Sequence, residues 1–162
     1  MDLTLSTALA GPLAPDLVFR LANAAALLGW IALLAAPPAA RWSVPLRRLA
    51  TRALPLALSV LYVAMIAVHW RGEGGFGSVA EVRALFDVPG ALVAGWVHYL
   101  AFDLFVGGWI AERAAALGLP HWQVVPVLLL TFLFGPAGLL AFVLLRVLRR
   151  PASFTLSPRS AP

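Results

Sequence analysis

Four long apolar runs constrain the fold of this chain more than any other feature. They cover approximately residues 17–36, 53–70, 89–111 and 122–148. An α-helix needs about 20 mostly apolar residues to cross a bilayer, and each run is close to or above that length. The chain is 62% hydrophobic and only 12% charged, whereas roughly a quarter of a soluble domain is charged. We therefore predict an all-α fold, a polytopic transmembrane helical bundle with four spans, in the cell membrane as a multi-pass protein.

Three segments follow from this pattern. Residues 1–16 form a short N-terminal segment, residues 17–148 form the four-helix transmembrane domain, and the Pro/Ser-rich residues 149–162 are predicted to be a disordered tail. The N-terminus lacks the basic start of a standard signal peptide, so we expect the first run to remain as a span. The absence of cysteine excludes disulfides and thiolate chemistry. The Ala/Arg-rich composition is typical of a bacterial protein, which indicates the bacterial inner membrane.

The basic residues of the chain are twelve arginines, most of which flank the apolar runs. This placement is typical of side chains that bind the anionic headgroups of membrane lipid, and no basic domain is present to bind nucleic acid. One cluster lies at residues 41–52 and another at 146–150, and each favours the cytoplasmic side. Three spans would place the clusters on opposite sides. We expect the first cluster to be cytoplasmic and the N-terminus outside; a fourth run that re-enters at Pro136 would remove the conflict.

The connection between the second and third runs contains a helix start signal. Ser78 is a predicted N-cap, and Glu81 follows three residues later in the capping-box position. The pattern predicts a short interfacial helix over residues 78–86 that leads into the third run. Pro89 suits the first turn of the third span, because that position needs no backbone N–H donor.

The third run carries two ionisable side chains, His98 and Asp103, near its middle. A carboxylate at that depth costs about 2.5–3.5 kcal/mol on the insertion scale, so it requires a partner, water or a proton. The two side chains lie about 140° apart around a helix and roughly 7.5 Å apart along it, so they cannot pair with each other. His98 is predicted to be buried between helices, because it shares a face with four small residues that allow close helix approach: Ala91, Ala94, Gly95 and Ala101.

Two interpretations of the His98 and Asp103 pair remain open. The side chains can be inert hydrogen-bonding links between helices, or they can form a functional site, since ionisable residues inside membranes usually mark a pathway or a reaction. Under the functional interpretation they are the catalytic residues and face a partly polar cavity in the bundle. The substrate-binding candidates are the neighbouring aromatic side chains and the amide inside the first run: Trp96, Tyr99, Phe102, Phe105 and Asn23.

No metal site is predicted. His69 and His121 lie at the end of the second run and the start of the fourth, which four spans would place at opposite membrane faces. Neither can therefore share an ion with His98 at mid-span. A haem bound by His98 remains an alternative.

Two motifs resemble those of a known membrane family. The first is Trp96-x-His98-x-x-Ala101-x-Asp103-Leu104-Phe105, followed by Gly107, and the second is Phe134-Gly135-Pro136-Ala137-Gly138. Together with the order of the runs, they resemble the abscisic-acid-deficiency-4-like family, which is known from plant neoxanthin synthesis. The resemblance covers roughly residues 17–148. It implies that four positions are structural parts of the motifs: Gly107, Gly135, Pro136 and Gly138.

The resemblance implies a protein that acts on or with a carotenoid or a similar apolar polyene. The implied reaction is a cofactor-free isomerisation in which Asp103 donates a proton and His98 accepts one. A non-enzymatic carotenoid-binding or scaffold protein is the alternative. A small transporter is a third possibility, although transporters usually contain paired discontinuous helices and only the fourth run is broken. The sequence leaves open whether the chain forms a homo- or hetero-oligomer.

Overall fold

The computed structural model describes residues 13–37, 40–70 and 74–149. Every regular element in these ranges is helical, as predicted. A π-helix, Leu49–Ala53, joins the α-helix Ser43–Arg48 to the α-helix Leu54–His69, so that Ser43–His69 is one continuous helical rod. The seven α-helices are α1 Pro15–Ala35, α2 Ser43–Arg48, α3 Leu54–His69, α4 Val79–Phe86, α5 Pro89–Ala116, α6 His121–Phe134 and α7 Pro136–Leu148.

Three of these helical segments are long and apolar enough to cross a membrane: α1, the Ser43–His69 rod and α5, with 21, 27 and 28 residues. They correspond to the first three predicted runs, and Pro89 occupies the predicted first turn of α5. The second segment begins at Ser43 rather than near Ala53. Three of the four arginines of the first cluster, Arg47, Arg48 and Arg52, lie on the rod itself, because arginine is a good helix former and does not end a helix.

The predicted fourth span is not confirmed, because the run is divided at Gly135. This residue has φ +25° and ψ −87°, and the next residue, Pro136, has no backbone N–H with which to continue the helix. The two resulting helices, α6 and α7, contain 14 and 13 residues. At 1.5 Å per residue each is roughly 20 Å long, which is less than the bilayer core of about 30 Å.

Helices α6 and α7 fold back on each other and form a re-entrant hairpin with Gly135 at its tip. Gly138 of α7 packs directly against Thr131 of α6. The tip lies against the Asp103 carboxylate, which is at the middle of α5. The hairpin therefore reaches half the length of α5 and turns there.

The second arm of the hairpin returns to the end of the bundle where the first arm began. Phe142 of α7 packs edge-on against Trp109 of α5, with ring centroids 5.6 Å apart. Farther along, Arg146 and Arg149 share a surface depression with Arg113 near the end of α5. Helix α7 thus runs beside the second half of α5 and in the same direction.

Two histidines mark the opposite ends of the bundle. His69 Nε2, at the end of α3, lies 3.1 Å from the carbonyl oxygen of Leu13, which precedes α1. His121 Nε2, at the start of α6, lies 2.9 Å from the carbonyl oxygen of Leu34, near the end of α1. The two histidines are thus far apart, as expected. These ends are called the Leu13 end and the Leu34 end below.

The Leu13 end carries the predicted short helix. Helix α4 begins at Val79, and the hydroxyl of the N-cap Ser78 accepts a hydrogen bond of 3.2 Å from the backbone N–H of Glu81. The prediction of an N-capped helix in this connection is confirmed. Residues 1–12 and 150–162, which include most of the predicted N-terminal segment and tail, lie outside the described ranges.

The Leu34 end carries both arginine clusters, which four complete spans would place on opposite sides of the membrane. The first cluster follows α1 and continues along the rod, and the second follows α7. They meet at one end because the fourth run is a hairpin rather than a span. Seven described arginines lie at this end: Arg41, Arg47, Arg48, Arg52, Arg113, Arg146 and Arg149.

Helix α5 is the centre of the bundle and packs against α1, the rod and both arms of the hairpin. Its glycines permit close approach: the Cα of Gly107 faces the ring of Trp30, and Gly108 faces the backbone of Thr51. The buried core includes Trp30, Leu33, Met65, Leu104, Ile110, Leu128 and Phe142.

Gly107→Ala should destabilise the helix packing by about 1–3 kcal/mol, the usual cost of over-packing a core. A Cβ at this position would lie 2.5 Å from Cη2 and 2.8 Å from Cζ3 of Trp30, which is itself 2% exposed. Thermal unfolding in detergent measures the effect. Adding Trp30→Phe makes room and should recover part of the loss; an alanine variant as stable as the parent would contradict this packing.

Candidate functional site

His98 lies on the surface of α5 rather than between helices, so the prediction of a buried imidazole is wrong. Its ring stacks on Phe102 with centroids 4.7 Å apart and meets the edge of Tyr62 in α3 at 5.2 Å. Three of the small residues around it, at 91, 94 and 101, are buried as expected. His98 sits at the margin of their stripe, beside Tyr62 of α3.

A shallow groove follows this margin along the α3–α5 interface. It consists of three depressions of about 360, 170 and 280 Å³. The first two share Ser59, Ala101 and Phe102, and the second and third share Tyr62 and His98, so the three are continuous. We call this feature the α3–α5 groove.

The α3–α5 groove extends along most of the length of α3. On the rod it is lined from Arg52 to Trp70, which is roughly 27 Å of helix. Arg52 lies at its Leu34 end, and a stacked pair, Trp70 and Phe76, with centroids 6.3 Å apart, lies at its Leu13 end. His98 stands near the middle, between mostly apolar walls.

Asp103 faces away from the groove, toward the hairpin tip. It is 9% exposed, its carboxylate lies against Gly135, and its Oδ2 has no hydrogen-bond partner among the described residues. The tip is also the N-terminal end of α7, where the helix dipole provides partial positive charge that favours an anion. The Tyr99 side chain is close to the carboxylate. Asp103 thus connects the middle of α5 to the hairpin tip.

A set of polar and aromatic contacts joins α5 to α1. Trp96 Nε1 donates a 3.2 Å hydrogen bond to Asn23 Oδ1, and Asn23 Nδ2 donates one of 2.7 Å to the carbonyl oxygen of Phe19. Trp96 also stacks on Tyr99, with ring centroids 5.4 Å apart. The amide of Asn23 is therefore used to hold two helices together.

The candidate residues are distributed over different faces of α5. The groove brings together His98, Phe102 and Phe105, whereas the two catalytic candidates, His98 and Asp103, do not share a cavity. The hypothesis of one polar cavity containing both is wrong, because the 140° between them places them against different neighbouring helices. The remaining candidates lie on the α1 and hairpin sides: Trp96, Tyr99, Asn23 and Asp103.

The second run supplies a wall of the groove that was not predicted from the sequence. Arg52, Pro55, Ser59, Tyr62 and Ile66 line it in steps of three or four residues, the spacing of one helix face. The hydroxyl groups of Ser59 and Tyr62 on this face were the available signal. In the described ranges, no three His, Cys, Asp or Glu side chains form a group able to hold a metal ion.

The fold and these sites define a helical protein of the membrane-spanning class, with three apolar helices of sufficient length and a broken fourth segment. A family model described as ABA DEFICIENT 4-like matches residues 17–142, which contain both motifs. The chain belongs to this ABA4-like family, as its resemblance implied. Searches among curated proteins and among solved structures find no match.

Proposed function

We propose that the protein binds an elongated apolar polyene of the carotenoid class in the α3–α5 groove, as a multi-pass protein of the bacterial inner membrane. The observation that carries the proposal is the continuity of the groove from Arg52 to Trp70, with aromatic side chains along its walls. A conjugated chain is rod-shaped and apolar, so it fits a straight groove that opens toward lipid. The carotenoid class itself follows from the family resemblance.

The dimensions of the groove support a ligand that lies parallel to the helices. Its length of roughly 27 Å is close to the bilayer core of about 30 Å. Phe102 and Phe105 are 56% and 54% exposed, which leaves their faces free to contact a flat polyene. Arg52 at the Leu34 end offers a hydrogen-bond donor to a polar end group.

The position of His98 favours binding over acid–base isomerisation at an end group. A polyene that fills the groove places its chain, rather than its terminal rings, beside the imidazole. Asp103, the proposed proton donor, lies on another face. The isomerase alternative therefore requires His98 to act without Asp103, both removing a proton from a ligand carbon and donating it to the ligand oxygen. It also requires the ligand to shift along the groove, so that an end group lies beside His98.

Filling the centre of the groove tests the proposal. Ser59→Phe places a ring where two of the depressions meet, and we expect it to abolish co-purification of carotenoid from a carotenoid-producing host. Val60→Phe is the matched control, because Val60 is 64% exposed and does not line the groove. The visible absorption spectrum of the purified protein measures bound pigment.

His98→Gln separates the two functions. Under the binding proposal, the purified variant retains pigment. The pigment composition of the host is then the same whether it expresses the parent protein or the variant. A host pigment profile that changes with the parent protein but not with His98→Gln would instead favour the isomerase. Equal pigment retention by the parent, Ser59→Phe and Val60→Phe would overturn the groove as the binding site.

A further inference from the structure

A second concave site lies at the Leu34 end, at the base of the re-entrant hairpin. It is a depression of about 440 Å³, within the range of roughly 300–1,000 Å³ typical of small-molecule sites. Arg113 of α5 and Arg146 of α7 line it from two sides, together with Arg149, which directly follows α7. The rest of its wall is the short connection between α5 and α6, including Gly118, where an added Cβ would meet open space.

The three arginines have no acidic partner among the described residues. The single ion pair in this part of the chain joins Arg52 to Glu112, at 3.9 Å on the side of the rod. Residues 150–162 contain no aspartate or glutamate side chain. Three guanidinium groups around one depression repel each other, so an anion placed between them is favoured. Arginine also binds phosphate through paired N–H donors.

Two aromatic rings lie one helical turn from two of these arginines, next to the depression on its membrane side. Trp109 precedes Arg113 by one helical turn, and Phe142 precedes Arg146 by one turn, so each helix presents a ring and then a cation. The two rings contact each other edge-to-face at 5.6 Å. Trp109 is 40% exposed and remains accessible from lipid. The site is therefore basic at the bundle end and apolar toward its middle.

We propose that this site binds a phosphate-bearing anionic lipid, with its phosphate between Arg113, Arg146 and Arg149 and an acyl chain against Trp109. A basic pocket between helices at the positively charged end suits an anionic headgroup, and the exposed Trp109 next to it suits an apolar chain. Free phosphate would use only the first half of the site. The bound lipid connects α5 to α7 and so holds the open end of the hairpin in place.

Titration with phosphatidylglycerol that carries brominated acyl chains tests the proposal, because bromine near Trp109 quenches its fluorescence. The full-length protein in detergent is compared with its Trp109→Phe variant to isolate the contribution of this indole. We expect the triple variant Arg113→Gln/Arg146→Gln/Arg149→Gln to bind on the order of a hundredfold more weakly, since each arginine contributes about fivefold. The matched control, Arg41→Gln/Arg47→Gln/Arg48→Gln, removes three arginines from the same end and should bind as the parent does.

Two further measurements address misfolding of the triple variant and binding that does not depend on lipid charge. If the triple variant does not fold, the single variant Arg149→Gln, which alters an exposed side chain, should still weaken binding about fivefold. Brominated phosphatidylcholine, which has no net charge, should quench Trp109 much less at equal concentration. Equal weakening in the control triple variant, or full displacement of the lipid by millimolar inorganic phosphate, would overturn the proposal.

Discussion

Gly135→Ala is expected to destabilise the protein by about 2–6 kcal/mol, the largest single-residue effect that the structure indicates. Two costs combine. A φ of +25° is strained for any residue with a Cβ, at roughly 1–3 kcal/mol, and the new methyl group would meet the Asp103 carboxylate, which adds about 1–3 kcal/mol of over-packing. Thermal unfolding in detergent and the yield of monodisperse protein measure the loss.

Gly118→Ala is the matched control for this experiment. Gly118 also has a positive φ, +67°, but nothing lies within 4 Å of the position that its Cβ would occupy. The Gly118→Ala variant should therefore lose only about 1–2 kcal/mol of stability, which is the cost of a positive φ for a residue with a Cβ. Combining Gly135→Ala with Asp103→Ala removes the contact and should cost less than the sum of the single changes. Additive losses would show that the tip does not rest on Asp103.

Labelling of single cysteines from one side of the membrane should show whether the fourth run is a hairpin or a complete span, because each cysteine is labelled from only one side. The parent chain has no cysteine, so each label reports one position. Leu46→Cys and Leu148→Cys should react from the same side, and Val79→Cys from the opposite side. All three positions are exposed, at 39%, 81% and 88%. The positive-inside rule assigns the first two to the cytoplasm.

The alternative of four complete spans makes the opposite prediction for one residue. With four spans, Leu148→Cys would react from the side of Val79→Cys, because the fourth span would carry it across. Met65→Cys, which is fully buried in the bundle, should resist the reagent from both sides and controls for leakage. Labelling of Leu148→Cys together with Val79→Cys would refute the re-entrant hairpin.

Features that depend on local sequence could be predicted well. The Ser78 cap is encoded by a hydroxyl and a carboxylate three residues apart, and the bounds of α1 and α5 follow from hydropathy and from Pro89. The divided fourth run was harder, because 27 apolar residues are equally consistent with one tilted span and with two short helices. Gly135-Pro136 was the signal, but only packing against Asp103 decides the direction of the second arm.

The arrangement of the candidate site depends on which helices contact His98 and Asp103, and these long-range contacts could not be read from the sequence pattern. The small-residue stripe correctly indicates which face of α5 is buried, but it does not show that His98 lies at the edge of the contact with α3, where its ring meets Tyr62 and stays exposed. The prediction of an interhelical partner for Asp103 needed the position of Gly135, 32 residues later. Family membership, in contrast, could be inferred from the motifs alone, because short patterns identify relatives without any knowledge of contacts.

The re-entrant hairpin also gives the molecule an uneven cross-section. In a bilayer crossed by α1, the Ser43–His69 rod and α5, both arms of the hairpin add to the leaflet nearer the Leu34 end, whereas the opposite leaflet gains only the short α4. With helices about 10 Å wide, the protein is a wedge that displaces more lipid from that leaflet than from the opposite one. Such a shape couples the protein to membrane curvature, with the wider half favouring the expanded leaflet.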